Sequence, residues 1–282
     1  MLLGFNLLLW TTHVTEADFP ILEKLKTAGY DGVEVPIFGG AVEEYAAIGK
    51  AIDDNGLRAT GVCVIPDAAH NCLSEDPAVR EAGLGHIKWA IDCCAAAGGE
   101  VLCGPFHQPL GEFTGTPPTD GELERLAGVH RQAASYAAGK DITLSVEPLN
   151  RFECYVLNTV ADAAAVARKV GAPNYGLLYD TFHANIEEKD PVGVIAPNIG
   201  AISHVHLSEN DRGTPGKGHV PWSATLKALK ESGYKDWFVI EAFGQALPDL
   251  AAATRVWRDF FPSREEVYRF GHDFLREEWA KA

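Results

Sequence analysis

The sequence predicts an α/β fold, a single (β/α)8 barrel, and three observations lead to this prediction. Strand-like and helix-like segments alternate from one end of the 282 residues to the other. The strand-like runs number eight, as in this barrel. No linker or change of composition marks a second domain, so one domain is expected over residues 1–282. The runs cover residues 2–10, 30–37, 57–65, 100–106, 141–148, 175–181, 202–209 and 236–243.

The strand-like runs are rich in apolar and β-branched residues, as is typical of parallel strands covered on both faces. Residues 2–10 are apolar but lack a basic start and a cleavage site, so we interpret them as a strand and not as a leader peptide. They are also too few to cross a membrane. The fifth run, DITLSVEP, ends in the carboxylate of Glu147. A buried carboxylate requires a partner, which makes this strand end a candidate site.

The segments between the runs have apolar residues three or four positions apart, which predicts amphipathic helices. Residues 160–170 show the pattern, and Gly171 is the stop signal. Residues 16–30 and 222–234 both end in Gly-Tyr directly before a strand, which indicates a repeated junction between helix and strand. The charged segment 262–282 is predicted to form a helix that packs outside the barrel or at a subunit contact.

A doubly wound open sheet is the main alternative fold, but no G-x-G-x-x-G motif follows a strand. The glycine-rich segment GTPGKG, residues 213–218, is not a Walker motif and does not lead from a strand into a helix. We interpret it either as a flexible loop or as a lid or substrate loop at the barrel mouth. The barrel therefore remains the predicted fold.

The charge and the cysteines restrict the partners and the compartment. The formal charge is −15, from 24 basic and 39 acidic residues. Nucleic acids and anionic membranes are bound by positive surfaces, so neither is expected as a partner. The six cysteines include no C-x-x-C pair, and the adjacent Cys93 and Cys94 have poor geometry for a disulfide. We expect reduced cysteines in a cytoplasmic protein.

Four consecutive strands carry an ionisable side chain at the carboxyl end. These residues are Glu147, Asp180, His206 and Glu241, and each is about one strand–helix unit from the next. In a barrel of this type, functional residues lie at the carboxyl ends of the strands. Period-two alternation along each strand places the four side chains on the inward face. We therefore expect them to meet at one rim.

Each of these residues has a simpler explanation when taken singly. A strand-end Asp or Glu often caps the next helix, and a strand histidine is usually a hydrogen-bonded core residue. Three carboxylates at one level, however, could not all ionise without a cation. Three carboxylates and one imidazole favour Mn²⁺, Mg²⁺ or Co²⁺ over a closed Zn²⁺ site. The sequence therefore predicts a divalent metal site, with His204 either behind it or in ordinary core packing.

A metal at this rim suits proton transfer beside a ketone. A divalent ion can chelate an α-hydroxyketone and acidify the adjacent C–H group. Glu147 and Glu241 come from strands five and eight and could flank that carbon, one removing the proton and the other returning it to the opposite face. The product is an epimer, formed through an enediolate. Glu153, His183 and Arg212 supply further polar groups at the same rim.

The chain resembles the ketose 3-epimerases for D-tagatose, D-psicose and L-ribulose, which belong to the sugar isomerase/epimerase group of TIM barrels. The segments that carry the resemblance are EPLNRFE, DTFHANIEE, HVHLSENDRGTPGKGHVPW and VIEAF. The resemblance implies C3 epimerisation of a free ketose. It also implies that Glu147 and Glu241 are both acid/base residues and metal ligands, with Asp180 and His206 as the other ligands. Manganese is the implied ion, with cobalt or magnesium as alternatives, and a homodimer or homotetramer is the implied assembly.

The same resemblance implies that Glu153, His183 and Arg212 contact the hydroxyl groups of the sugar. The departures from the family lie at the edge of the pocket, because strand one is less aromatic and the loop after strand four lacks an expected tryptophan. The chemistry therefore transfers better than the identity of the ketose. The residues expected to line the pocket are Trp10, Cys63, Phe106, His107 and Phe243.

Other functions fit part of this pattern. A related TIM-barrel sugar isomerase or an inosose dehydratase-like lyase would use the same metal site with a different pocket. A non-enzymatic sugar-binding protein is a more distant alternative, and it would keep its ligand affinity in a Glu147→Gln variant.

Overall fold

The structure, a computed structural model, describes residues 1–282 and confirms the (β/α)8 barrel. Eight strands are hydrogen-bonded in chain order, and the last returns to the first to close the barrel. All pairings are parallel, so the carboxyl ends of the strands meet at one rim. The strands are β1 (Leu2–Asn6), β2 (Gly32–Pro36), β3 (Arg58–Val62), β4 (Gly99–Gly104), β5 (Thr143–Val146), β6 (Tyr175–Asp180), β7 (Ile202–Leu207) and β8 (Trp237–Ile240).

Ten helices surround the barrel or connect its strands. They are α1 (Phe19–Ala28), α2 (Val42–Asp54), α3 (Pro77–Ala96), α4 (Asp120–Ala138), α5 (Val160–Val170), α6 (Thr181–Glu187), α7 (Ile195–Asn198), α8 (Trp222–Glu231), α9 (Pro248–Ala253) and α10 (Arg264–Lys281). Single 3₁₀ turns cover Leu7–Leu9, Glu16–Asp18 and Ala68–His70. None of the helices has both the length and the apolar character that a membrane crossing requires.

Local signals set several helix boundaries. Helix α4 begins with a capping box, in which Thr119 Oγ1 accepts the N–H of Glu122 and the Glu122 carboxylate accepts the N–H of Thr119. Helix α5 ends at Gly171, which has the left-handed conformation expected of a stop signal. These helices are therefore bounded by their own sequence.

The first strand is shorter than the predicted run 2–10. It ends at Asn6, because Asn6 Oδ1 accepts the N–H of Leu8 at 2.9 Å and starts the 3₁₀ turn Leu7–Leu9. This turn moves Trp10 out of the strand. Its ring packs on Phe5 and Tyr268, with centroid distances of 5.1 Å and 6.1 Å.

Helix α10 closes the outer layer beside the start of the chain. It packs against α1 and α8. The hydroxyl of Tyr30 donates to the carbonyl of Tyr268 at 2.7 Å, and Arg276 Nη1 donates to the carbonyl of Met1 at 2.8 Å. Helix α10 is thus hydrogen-bonded to the side chain of Tyr30 and to the backbone of Met1, both near the start of the chain.

Gly104 at the end of β4 provides a test of the barrel packing. Its φ is 118°, and a Cβ there would be too close to the carbonyl oxygen of Cys63 on the neighbouring segment. We expect Gly104→Ala to lower the free energy of unfolding by about 3 kcal/mol or more, because strain and overlap add. Gly98 has a φ of 71° but open space around its Cβ, so Gly98→Ala should cost only about 1 to 2 kcal/mol. Denaturant titration measures the free energy of unfolding of both variants. An equal loss in the two variants would contradict the role of the close contact between Gly104 and Cys63.

Candidate metal centre and active site

Four ionisable side chains meet at the rim of the last four strands. Glu147 directly follows β5, Asp180 ends β6, His206 lies in β7 and Glu241 directly follows β8. One ligand atom from each residue lies within 4.8 Å of those of the other three, and all four residues are buried. Parallel register explains the convergence, because Asp180 and His206 are direct partners across β6 and β7. The structure thus brings together the four residues that the sequence predicts as metal ligands.

The His206 ring presents an unpaired nitrogen to the three carboxylates. Its Nε2 lies 2.7 Å from a carboxylate oxygen of Glu34 on the other side of the ring. Its Nδ1 is buried without a hydrogen-bond partner, 3.4 Å from Glu241 Oε1 and 3.9 Å from Asp180 Oδ2. A buried imidazole nitrogen without a hydrogen-bond partner that faces carboxylates fits a metal ligand, and three carboxylates with one imidazole suit an octahedral, oxygen-preferring ion. The residues present therefore fit a divalent metal of the Mn²⁺ or Mg²⁺ type.

The carboxylates of this cluster differ in their preferred protonation. Burial, and then the charge of Glu241, raises the pKa of Glu147 well above its ordinary value. Burial also raises the pKa of Asp180, although Arg212 opposes this shift. For Glu241, burial acts in the same direction, but the charges of His206 and Arg212 outweigh it and lower the pKa. Among the three carboxyl groups, the pKa is therefore raised for Glu147 and Asp180 and lowered for Glu241.

The guanidinium of Arg212 lies among the carboxylates of this cluster. Its Nη1 donates to Asp180 Oδ2 at 2.9 Å and to Glu241 Oε2 at 2.8 Å. The rings of Phe182 and Phe243 lie 3.9 Å and 4.9 Å from its central carbon. Its backbone φ is 64°, in the left-handed region. The resemblance implies a contact of Arg212 with sugar hydroxyls, and in the structure it also neutralises part of the carboxylate charge.

His183 and Glu153 are placed next to the cluster by the segment after β5. The Nδ1 of His183 accepts the backbone N–H of Asn150 at 3.0 Å, and its Nε2 lies 3.6 Å from Glu147 Oε1. Glu153 Oε1 accepts from Asn150 Nδ2 at 2.7 Å. One asparagine therefore orients both side chains toward the same space.

A cavity of about 360 Å³ adjoins these groups. Its polar lining is formed mainly by the site residues Glu147, Glu153, His183, Arg212 and Glu241. The remaining wall is largely apolar. It includes Leu8, Phe38, Val62, Leu149, Phe243 and Leu250. The chemistry is thus concentrated on one side of an otherwise apolar pocket.

Of the five residues expected to line the pocket, Phe243 lies in the wall of this cavity and the other four do not. Val62 and Val64 line it, so the side chain of Cys63 between them points the other way. Trp10 is displaced by the early end of β1, and Leu8 takes a place in the wall.

Pro105 lines the cavity, and Phe106 and His107, which follow it in the chain, lie behind the cavity wall. Phe106 is buried and packs against His130 with tilted rings and a centroid distance of 5.2 Å. His107 is buried without a partner for either ring nitrogen, and burial lowers its pKa to about 3. Both residues therefore belong to the layer between barrel and helices.

The glycine-rich segment 213–218 is held beside the site and not across the cavity. The carboxylate of Glu209, which is fully buried, accepts the N–H of Gly216 at 2.8 Å, the N–H of Val220 at 3.1 Å and the indole N–H of Trp222 at 2.9 Å. None of residues 213–218 lines the cavity. The segment folds around Glu209 and is not placed as a lid.

Sequence reasoning missed Glu34 and Asn6, which lie directly behind the four clustered side chains. Asn6 Nδ2 donates to Glu241 Oε1 at 3.0 Å, and Glu34 accepts from His206. The sequence did contain a signal for Glu34, because it is an acidic residue in the middle of β2, a strand in which every position is buried. His204, left open between two roles, also contacts Glu34, with its Nε2 2.8 Å from Oε2.

Comparison with known proteins gives the family. A family model described as a xylose isomerase-like TIM barrel matches residues 22–278. A probable ketose 3-epimerase of Synechocystis sp. is 31% identical over 274 residues, which cover 97% of this chain and 95% of that protein. The D-psicose 3-epimerase of Agrobacterium fabrum is 33% identical over 256 residues, or 88% of this chain and 87% of that protein.

Solved structures agree with these sequence matches. The crystal structure of the D-allulose 3-epimerase from Methylomonas sp. in complex with D-allulose superposes with a TM-score of 0.91 at 27% identity. The match covers 99% of this chain and 97% of that chain. The resemblance in four segments is therefore supported over nearly the full length. The chain belongs to the xylose isomerase-like TIM barrel family, where its relatives are ketose 3-epimerases, and it is an isomerase of the epimerase type.

Proposed function

We propose that the protein epimerises free ketoses at C3, with a bound divalent ion and with Glu147 and Glu241 as the acid/base pair. The observation that carries this proposal is geometric: the two carboxyl groups share one buried cluster of potential ligand atoms, and both line the adjoining cavity. They follow β5 and β8, so a substrate carbon between them would meet one carboxyl group on each side.

In the proposed reaction, Glu241 as carboxylate removes the proton from C3 of one epimer. Glu147 holds its proton and delivers it to the opposite face of the same carbon. In the reverse direction the two residues exchange these roles. When bound, a divalent ion at the four ligands would polarise the neighbouring carbonyl and so acidify the C–H group. The apolar wall of the cavity limits the access of competing water.

We propose Mn²⁺ as the ion, with Co²⁺ or Mg²⁺ as alternatives, on the chemistry of the ligand set. Glu153, His183 and Arg212 line the cavity and would contact the sugar hydroxyls. Arg212 is the one arginine or lysine in the lining, and its charge is committed to Asp180 and Glu241. This leaves no free cation for a phosphate, which favours an unphosphorylated ketose. The relatives include a D-psicose 3-epimerase of Agrobacterium fabrum and an L-ribulose 3-epimerase of Methylomonas sp., which supports a ketohexose or ketopentose substrate.

We further propose that residues 1–282 form one domain and that the protein is a homodimer or homotetramer in the cytoplasm. The large exposed aromatic side chains of Phe152 and Trp257, 70% and 66% accessible, support a subunit contact. All six cysteines are buried and free, as expected in a reducing compartment. The charge of −15 supports a small-molecule substrate over a nucleic acid or membrane partner.

Isotope exchange tests the proposed reaction. Incubation with Mn²⁺ in D₂O and D-fructose, D-tagatose or L-ribulose should place deuterium at C3 of both epimers, because C3 is the carbon that loses and regains a proton. NMR and mass spectrometry locate the label, and protein treated with a chelator is the control. Deuterium at C1 alone would indicate an aldose–ketose isomerase, and a dehydrated product would indicate a lyase. Binding without exchange would indicate a sugar-binding protein.

A further inference from the structure

We propose that Glu34 is a positioning residue for the metal centre: it orients His206 from behind and thereby sets the affinity for the divalent ion. The inference rests on the proposed metal-dependent function and adds to it a residue that touches neither ion nor sugar. Glu34 is fully buried in β2, on the opposite side of the barrel from β6. It does not line the cavity.

Glu34 is the centre of a hydrogen-bond network that joins five strands. Its two oxygens accept hydrogen bonds from side chains of β1, β3, β4 and β7 at distances of 2.7 to 3.1 Å. The donor atoms are Asn6 Nδ2, Thr60 Oγ1, Cys103 Sγ, His204 Nε2 and His206 Nε2. A carboxylate with this many donors is well compensated for burial and is held in one orientation.

The contact with His206 determines which ring nitrogen faces the site. Glu34 accepts at 2.7 Å, so the Nε2 of His206 carries a proton and Nδ1 is the ring nitrogen left to hold an ion. That Nδ1 is the buried atom without a partner that faces Asp180 and Glu241. A carboxylate behind a ligand histidine fixes the tautomer and makes the ligand nitrogen more basic. Without Glu34, the ring could take either tautomer and rotate.

Asn6 connects Glu34 to a second proposed metal ligand, Glu241. Its Oδ1 accepts the N–H of Leu8 at 2.9 Å, so both protons of Nδ2 are available for carboxylates. One goes to Glu34 Oε1 at 2.9 Å and the other to Glu241 Oε1 at 3.0 Å. The orientation of Glu241 is therefore coupled to Glu34 through one amide group.

A second metal ion in this network is the competing explanation. Glu34, Cys103, His204 and His206 place ligand atoms within 4.8 Å of one another. Asn6 and Thr60, which cannot act as anionic ligands, nevertheless donate to the same two oxygens. None of the four residues lines the cavity, and all are fully buried. The five donors to the oxygens of Glu34, and the position of all four residues away from the cavity, favour the positioning role.

Metal titration tests the proposal. Metal-stripped wild type and Glu34→Gln are titrated with Mn²⁺ by calorimetry, with circular dichroism to verify the fold. We expect one ion per chain in wild type and a Kd about 10- to 100-fold higher in the variant. Excess Mn²⁺ should restore most of kcat, because Glu34 does not contact the sugar. Tyr175→Phe removes a buried hydrogen bond to His130 elsewhere in the barrel and should keep the wild-type Kd within about threefold.

Wild-type Mn²⁺ affinity in a folded Glu34→Gln protein would overturn the proposal. Loss of a second bound ion in that variant would also overturn it, since the network would then be a metal site. If Glu34→Gln does not fold, Glu34→Asp is the second variant, because it keeps the charge but moves the carboxylate away from His206. We expect Glu34→Asp to bind Mn²⁺ at least about tenfold more weakly than the wild type does. Failure of wild type to bind Mn²⁺ would instead remove the metal-dependent function on which the inference rests.

Discussion

Replacement of Glu147 by glutamine should lower kcat for C3 epimerisation by about 10²- to 10⁴-fold at saturating Mn²⁺. Glutamine keeps the shape of the side chain and one oxygen that can approach a metal, but it cannot hold and release a proton. Glu147 is 4% exposed and lines a cavity with largely apolar walls, so a base from the solvent has little access to the position of its carboxylate. Initial rates with a ketose that the wild type converts provide the measurement.

The Glu147→Gln variant should still catalyse one of the two proton transfers. Glu241 remains and is the group that favours its charge, so it should still remove the C3 proton of the epimer that faces it. That proton should exchange with D₂O without inversion of the carbon. Glu112→Gln, at an exposed side chain outside the cavity lining, is the control and should keep kcat within about twofold. Epimerisation by Glu147→Gln within about tenfold of wild type would rule out the acid/base role of Glu147.

The barrel and the four strand-end residues could be predicted because both depend on local pattern and connectivity. Alternation along a strand fixes the face on which a side chain lies, and parallel closure brings equivalent strand ends to one level. Glu147 and Glu241 therefore follow from the pattern of β5 and β8 without any knowledge of distant contacts. The end of helix α5 at Gly171 was predictable for the same reason.

Other parts of the site depend on contacts between residues far apart in the chain. Asn6 ends β1 early by capping a turn, and this decides that Leu8 and not Trp10 reaches the cavity. Glu34 lies 172 residues from its partner His206, so no local pattern links them. The position of Arg212 depends on a left-handed backbone and on two aromatic rings from other segments. Such features become visible only when the packing is known.

Arg212→Met should lower the free energy of unfolding of the metal-free protein by about 3 to 5 kcal/mol. Arg212 is 5% exposed and its guanidinium bonds to Asp180 and Glu241, so its removal leaves two buried carboxylates without their cation. Methionine preserves much of the packing between Phe182 and Phe243, which limits the loss to the charge. Denaturant titration in the presence of a chelator measures this change.

The same variant should gain more stability from Mn²⁺ than the wild type does, because the ion and the guanidinium neutralise the same carboxylates. We therefore expect the difference between Arg212→Met and wild type to shrink when Mn²⁺ is added. Arg269 pairs with Glu265 through side chains that are 51% and 64% exposed, so Arg269→Met should cost at most about 1 kcal/mol with or without the ion. An equal loss for Arg212→Met with and without Mn²⁺ would mean that Arg212 does not share its carboxylates with the metal. Because the carboxylates repel one another, the competition between arginine and ion is the expected consequence of three acidic ligands in one buried cluster.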